Sequence, residues 1–85
     1  MKEFKYVIQD ELGLHARPAG LLVKEAAKFK SKVTLSNGTK TVDAKRIMAV
    51  MSLGVKHGVE ITMTFDGEDE EEAEAAVEKF LTENL

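Results

Sequence analysis

Residues 33–42, Val-Thr-Leu-Ser-Asn-Gly-Thr-Lys-Thr-Val, alternate apolar and polar side chains on either side of an Asn-Gly pair. This alternation predicts two half-buried strands. Asn37-Gly38 favours a two-residue type I′ turn, because both central positions of that turn need a positive φ. Such a turn pairs Ser36 with Thr39, Leu35 with Lys40 and Val33 with Val42. We therefore expect an antiparallel hairpin with the valines on a buried face and Thr34 and Thr41 on the other face.

The rest of the chain adds two more strands and three helices. Residues 4–8 and 59–66 also alternate, which predicts strands. Residues 16–28, 47–53 and 68–81 repeat apolar side chains every three or four positions, which predicts helices. Gly54 is expected to end the middle helix, and the acidic run from Glu68 to Glu72 suits the start of the last one. We expect an α+β fold of order β-α-β-β-α-β-α, with three helices on one face of a single, mostly antiparallel four-stranded sheet and water on the other.

Composition limits the classes of protein to which the chain can belong. Its 85 residues are 44% hydrophobic and 32% charged, a globular mix that fits a single domain over residues 1–85. The lack of cysteine excludes a disulfide framework, an iron–sulfur site and a thiolate zinc site. The first residues include no apolar secretory segment, so we expect a cytoplasmic protein.

Charge is unevenly distributed along the sequence. Residues 1–59 contain 11 basic and five acidic residues, whereas residues 60–85 contain one basic and ten acidic residues. A basic surface attracts an anion, a nucleic acid or an acidic protein, but solvated helix faces explain the same pattern.

The segment Gly13-Leu-His-Ala-Arg-Pro-Ala-Gly20 departs from the usual composition of a helix start. Pro18 suits the first turn, which places His15 and Ala16 where the helix begins. No Ser, Thr, Asp or Asn lies between Leu12 and Leu21 to cap the free N–H groups. Arg17 adds a cation at the positive end of the helix dipole, which costs about 0.3–1 kcal/mol.

A bound anion would compensate for each of these features. The free amides, the dipole and Arg17 would converge on a phosphate-sized group, with His15 among them. A ring nitrogen of His15 would then lie beside the bound group and could attack it. This arrangement describes a histidine that accepts a phosphoryl group and passes it on. The alternative is a surface or capping histidine without a chemical role, and these residues alone leave both interpretations open.

The string Gly-Leu-His-Ala-Arg-Pro-Ala resembles the phosphocarrier site of the HPr family, the small histidine-containing carriers of the bacterial sugar phosphotransferase system. Residues 47–55, Ile-Met-Ala-Val-Met-Ser-Leu-Gly-Val, resemble the second signature of that family. The spacing of the two motifs, the length and the order of elements agree over essentially the whole chain. The resemblance implies an open-faced β-sandwich.

The resemblance also implies a function. Phosphate originates from phosphoenolpyruvate, reaches His15 from the phosphohistidine of enzyme I, and goes on to sugar-specific IIA domains. His15 is implied to be phosphorylated on Nδ1, with Arg17 and the backbone N–H groups of Ala16 and Arg17 stabilising the phosphate. No metal, nucleotide or other cofactor is implied, which agrees with the lack of a P-loop motif. We expect a monomer.

Position 46 departs from the family. Carriers of the Gram-positive type have a regulatory serine immediately before the residue that matches Ile47, and this chain has Arg46. Arginine accepts no phosphate, so we expect no regulatory phosphorylation there. Either the protein lacks this regulation or the residue has been replaced.

We further predict a docking surface for acidic partners beside the candidate site. Its apolar centre consists of Ile47, Met48 and Met51, and its basic rim of Lys24, Lys28, Lys45 and Arg46. A helix this short must also bury side chains, so we expect Val50 to be buried and Met48 exposed. His57, in a predicted turn, is assigned no role.

Three other functions are alternatives to that of a phosphoryl carrier. A regulatory docking module of the same fold in carbon control has no need of a nucleophile at His15. An RNA-binding α/β sandwich needs aromatic side chains on its open sheet face, where this sequence places Thr34, Thr41, Thr62 and Thr64, so we expect no nucleic-acid partner. A free-standing enzyme is not expected, because nothing in the sequence forms a deep pocket.

Overall fold

Four strands and three helices follow one another in the order β-α-β-β-α-β-α, as the sequence predicts. The structure is a computed structural model that describes all of residues 1–85. The elements are β1 (Lys2–Val7), α1 (Ala16–Ala26), β2 (Lys32–Ser36), β3 (Thr41–Asp43), α2 (Ile47–Ser52), β4 (Glu60–Asp66) and α3 (Glu70–Asn84). None of the helices is long and apolar enough to span a membrane.

The strands form one sheet in the order β1-β4-β2-β3, and every neighbouring pair is antiparallel. Strand β4 lies between β1 and β2, so Met63 faces Phe4 on one side and Leu35 on the other. These three side chains point to the face that the helices cover, and Met63 and Leu35 are fully buried. The prediction of one sheet with three helices on a single face is therefore confirmed.

The opposite face of the sheet is polar. Thr34 lies opposite Thr64, and Ser36 lies opposite both Thr62 and Thr41. The hydroxyl groups of Thr34 and Thr64 are hydrogen bonded to each other. The predicted threonine-rich face is confirmed, and the four predicted threonines leave no aromatic platform on which bases could stack.

The register of the β2–β3 hairpin differs from the prediction. Leu35 pairs with Val42 and Ser36 with Thr41, so the connection has four residues, 37–40, rather than two. Gly38 has a φ of 97°, but Asn37 does not have a positive φ, which excludes the type I′ turn. Instead, Oδ1 of Asn37 accepts hydrogen bonds from the backbone N–H groups of Thr39 and Lys40, at 3.0 and 2.9 Å. The shift is two residues, which preserves the face of every side chain.

The core lies between the sheet and the helices. Helix α1 contributes Ala19, Leu22 and Ala26, and α3 contributes Ala73, Val77 and Leu81, all of them fully buried. Both sets follow the three- and four-residue spacing of an amphipathic helix. Helix α1 ends two residues before the predicted end at Lys28, and Gly54, with a φ of 61°, follows α2 as expected.

Asp69 connects the start of α3 to the start of β2. Its carboxylate accepts hydrogen bonds from the backbone N–H groups of Lys30 and Ser31, at 2.8 and 2.9 Å, and from the Ser31 hydroxyl. The bond from the Ser31 side chain, followed by the other donors, lowers the pKa of Asp69 from 3.8 to about 2. Asp69 precedes the first residue of α3 but makes no side-chain cap to that helix. The carboxylate therefore joins two segments that are distant in sequence.

Candidate functional site

His15 is the N-cap residue of α1, and the start of this helix lacks a side-chain cap. The backbone of His15 is extended, with φ −90° and ψ −176°. Pro18 has no N–H group, and the N–H of Ala19 donates to the carbonyl oxygen of His15 at 2.9 Å. The N–H groups of Ala16 and Arg17 have no hydrogen-bond partner in the protein. Two adjacent backbone donors are thus left free beside the imidazole, as the sequence predicts.

The turn before α1 fixes the approach of the chain to His15. Oδ1 of Asp10 accepts a hydrogen bond from the N–H of Leu12 at 2.8 Å, and the carbonyl oxygen of Asp10 accepts one from Gly13 at 2.9 Å. Asp10 therefore stabilises its own turn rather than the helix. This explains why the nearest upstream residue of a capping type does not cap α1.

Gly13 packs against the loop that follows α2. Its φ is +72°, and a Cβ placed on it would lie 2.5 Å from both Cα of Lys56 and the carbonyl oxygen of Val55. The same carbonyl accepts a hydrogen bond from the N–H of Leu14 at 2.9 Å, and Leu14 is buried. Because only glycine allows this conformation and this close approach, the 55–56 backbone holds the residues immediately before His15 in place.

His15 and Arg17 share a shallow depression of about 220 Å³. The depression is lined by Asp10, His15, Arg17, Pro18, Leu21 and Asn84. His15 is half-buried, whereas Arg17 is exposed and forms no ion pair. Asn84 comes from the far end of α3, and sequence analysis missed it because no local pattern indicates that α3 ends beside α1.

This arrangement suits a multiply charged anion next to an imidazole. Two free N–H groups and the positive end of α1 provide directed donors, and the unpaired guanidinium of Arg17 provides a full charge. Nowhere in the structure are three His, Cys, Asp or Glu side chains grouped so that they could hold a metal ion. His57 is exposed in the turn before β4. The geometry supports chemistry on the imidazole of His15 itself.

The predicted apolar centre of the docking surface lies on α2. Met48 is 79% exposed and Val50 only 1% exposed, so both expectations for this helix are confirmed. Ile47 and Met51 are also partly exposed. A Cβ placed on Gly20 of α1 would lie 3.5 Å from Cδ1 of Ile47. Leu21, which follows Gly20, lines the depression of His15, so the apolar centre on α2 lies close to the candidate site.

Three of the four predicted rim cations already have partners. Lys28 Nζ is 2.9 Å from a Glu25 oxygen, and Arg46 Nε is 3.9 Å from an Asp43 oxygen. Lys45 Nζ donates to the backbone oxygen of Phe29 at 2.7 Å, a neutral acceptor that leaves its positive charge uncompensated. Lys24 is exposed and forms no ion pair. Lys24 and Lys45 therefore contribute most of the uncompensated charge of the rim, which is less basic than a count of residues suggests.

Comparison with known proteins agrees with this geometry. A family model described as "PTS HPr component phosphorylation site" matches residues 2–83. The phosphocarrier protein HPr of Mycoplasma genitalium is 48% identical, over 99% of this chain and 97% of its own length. A crystal structure of HPr from Thermoanaerobacter tengcongensis is 44% identical and superposes with a TM-score of 0.92, covering 96% of this chain and 92% of that one.

A third relative has a different description. The catabolite repression protein Crh of Bacillus subtilis, solved as a domain-swapped dimer, is 42% identical, with a TM-score of 0.78 over 100% of this chain and 98% of that one. The family match spans both signature segments together with the uncapped helix start at His15. The chain therefore belongs to the HPr family, the phosphocarrier proteins of the phosphotransferase system.

Proposed function

We propose that this protein accepts a phosphoryl group on His15 from phosphorylated enzyme I and passes it to sugar-specific IIA domains. The observation that carries the proposal is the uncapped start of α1, where two unpaired N–H groups and an unpaired arginine surround a half-buried imidazole. Helix starts normally recruit a side-chain acceptor for such donors. A phosphoryl group on His15 would supply that acceptor.

The transfer step exchanges one P–N bond for another. Nδ1 of His15 attacks phosphorus with its lone pair while Nε2 keeps the ring proton, and the bond between phosphorus and the donor histidine breaks. Charge is spread over the three equatorial phosphoryl oxygens during transfer. The N–H groups of Ala16 and Arg17 and the guanidinium of Arg17 are placed to stabilise those oxygens. The second transfer, to a IIA domain, runs the same exchange in the other direction.

The partner is expected to cover the apolar centre on α2 while it reaches His15. Ile47 lies close to Gly20, and the next residue, Leu21, lines the depression, so a protein that approaches the imidazole is expected to meet this surface. Lys24 and Lys45 would steer acidic partners towards it. Because position 46 is arginine, the proposed function includes no phosphorylation at this position.

The direct test is incubation with enzyme I and phosphoenolpyruvate, followed by measurement of the intact mass. We expect one added phosphoryl group that is lost in acid, because the N–P bond is acid-labile. His15→Ala is expected to add none, and His57→Ala serves as the matched control that still adds one. A wild-type protein that stays unmodified in the presence of active enzyme I would refute the proposal.

The second candidate is a regulatory module that docks without carrying phosphate, which the likeness to Crh favours. The two functions differ in their need for a nucleophile. A docking module binds its partner equally well as wild type and as His15→Ala and gains no mass. The phosphorylation experiment therefore distinguishes them directly.

A further inference from the structure

The four methionines of this chain differ sharply in exposure. Met63, in the central strand β4, is fully buried, whereas Met1 is 77% and Met48 is 79% exposed. Met51 is intermediate at 41%. Two of the three accessible thioethers therefore lie on α2, in the apolar centre of the docking surface.

Exposure decides which thioethers react with peroxides. Oxidation converts the flexible, apolar side chain of methionine into a polar, chiral sulfoxide, and dedicated reductases reverse the change. Since the core excludes solvent from Met63, we expect oxidation of the folded protein at Met1, Met48 and, more slowly, Met51. Only the last two changes fall on a surface with a proposed function.

Met48 is the methionine whose oxidation should matter most for docking. It is the second residue of α2, next to Ile47, whose side chain lies close to Gly20, and the neighbour of Gly20, Leu21, lines the His15 depression. A partner that delivers a phosphoryl group to His15 covers this part of α2 and removes water from Met48. Burial is favourable for the apolar thioether. A sulfoxide, in contrast, loses its hydrogen bonds to water on burial without a donor placed to replace them.

We propose that Met48 is an oxidation-sensitive site that controls docking of the phosphoryl donor. The oxidant is hydrogen peroxide. Its O–O bond breaks as an S–O bond forms on Met48, the sulfur loses two electrons, and the other peroxide oxygen leaves as water. This inference rests on the proposed function, because it assumes that enzyme I docks over α2.

The experiment compares phosphorylation by enzyme I before and after mild peroxide treatment. For the wild type we expect the KM for this protein to rise about tenfold while kcat changes little, because burial of an unpaired polar group weakens binding without altering the transferred group. Peptide mapping should find sulfoxide at Met48 and none at Met63. Treatment with methionine sulfoxide reductases should restore the original KM.

Two variants locate the effect, and each is compared with itself before and after treatment. Met48→Leu removes the more exposed sulfur of the docking surface but keeps the volume, so its KM should rise far less on peroxide treatment than that of the wild type. Met51→Leu keeps Met48, so its KM should still rise about tenfold, as in the wild type. The proposal is overturned if the oxidised wild type keeps its KM, if Met48 stays unoxidised, or if Met48→Leu responds as strongly as the wild type. Failure of the untreated protein to accept phosphate would instead refute the proposed function.

Discussion

Replacement of Gly13 by alanine tests how the site is held in place. The added methyl group encounters two separate obstacles. The φ of +72° is unfavourable for any residue with a Cβ, and that Cβ would lie 2.5 Å from both Lys56 Cα and the Val55 carbonyl oxygen. Both obstacles are backbone atoms of the 55–56 loop, which cannot rotate away as a flexible side chain can.

The two obstacles allow an estimate of the lost stability. The left-handed conformation costs alanine about 1–2 kcal/mol, and forcing a methyl group into a closely packed region costs about 1–3 kcal/mol more. At roughly 0.05–0.15 kcal/mol per residue, a chain of this length has a free energy of unfolding of about 4–13 kcal/mol. The estimated loss of about 2–5 kcal/mol is a large part of that. We also expect slower phosphorylation, because the displaced loop moves the chain just before His15.

Gly54→Ala is the matched control. Gly54 has a similar φ of 61°, but a Cβ there meets no atom within 4 Å. Urea unfolding followed by circular dichroism should show Gly54→Ala losing only the backbone part, about 1–2 kcal/mol. Thermal melting should place Gly13→Ala at least about 4 °C below it, since 1 kcal/mol shifts the midpoint by about 4–8 °C at this size. Equal destabilisation of the two variants would refute the contact between Gly13 and the 55–56 loop as the cause.

Three further predictions concern Asp69, Arg17 and Lys45. The folded pKa of Asp69, about 2, lies below its unfolded value of 3.8, so the carboxylate stabilises the fold above pH 3.8 and this contribution is lost as the pH falls towards about 2. Urea unfolding should therefore show that the free energies of unfolding of wild type and Asp69→Asn converge over that range. Arg17→Ala should slow phosphorylation by about 100-fold, measured by quenched-flow transfer assays, without lowering the melting temperature, because it also removes a cation from the positive end of α1. Lys45→Glu should slow association with enzyme I, more at low than at high salt, and a rate independent of salt would exclude steering by this residue.

The sequence predicted which face each side chain takes more reliably than it predicted pairing. Alternation in residues 33–42 assigns Leu35 and Val42 to the buried face, because every second side chain along a strand points to the same side of the sheet. The register depends on the turn, where the side chain of Asn37 accepts hydrogen bonds from the next residues and makes a four-residue loop more favourable than the type I′ turn. A local dipeptide preference was overridden by one side chain.

The candidate site shows the same division between local and distant information. The free N–H groups of Ala16 and Arg17 follow from residues within one helical turn, so the sequence predicts them. The support that Gly13 receives from the 55–56 loop and the position of Asn84 beside His15 depend on how distant elements pack. No pattern in either segment alone indicates these contacts.

The shallow setting of His15 has a consequence for the lifetime of its proposed cargo. The imidazole lies in an open depression rather than under a lid, so the proposed donor and acceptor do not depend on the opening of a lid to reach it. The same openness admits water to the loaded side chain between encounters, so spontaneous hydrolysis competes with delivery whenever acceptors are scarce.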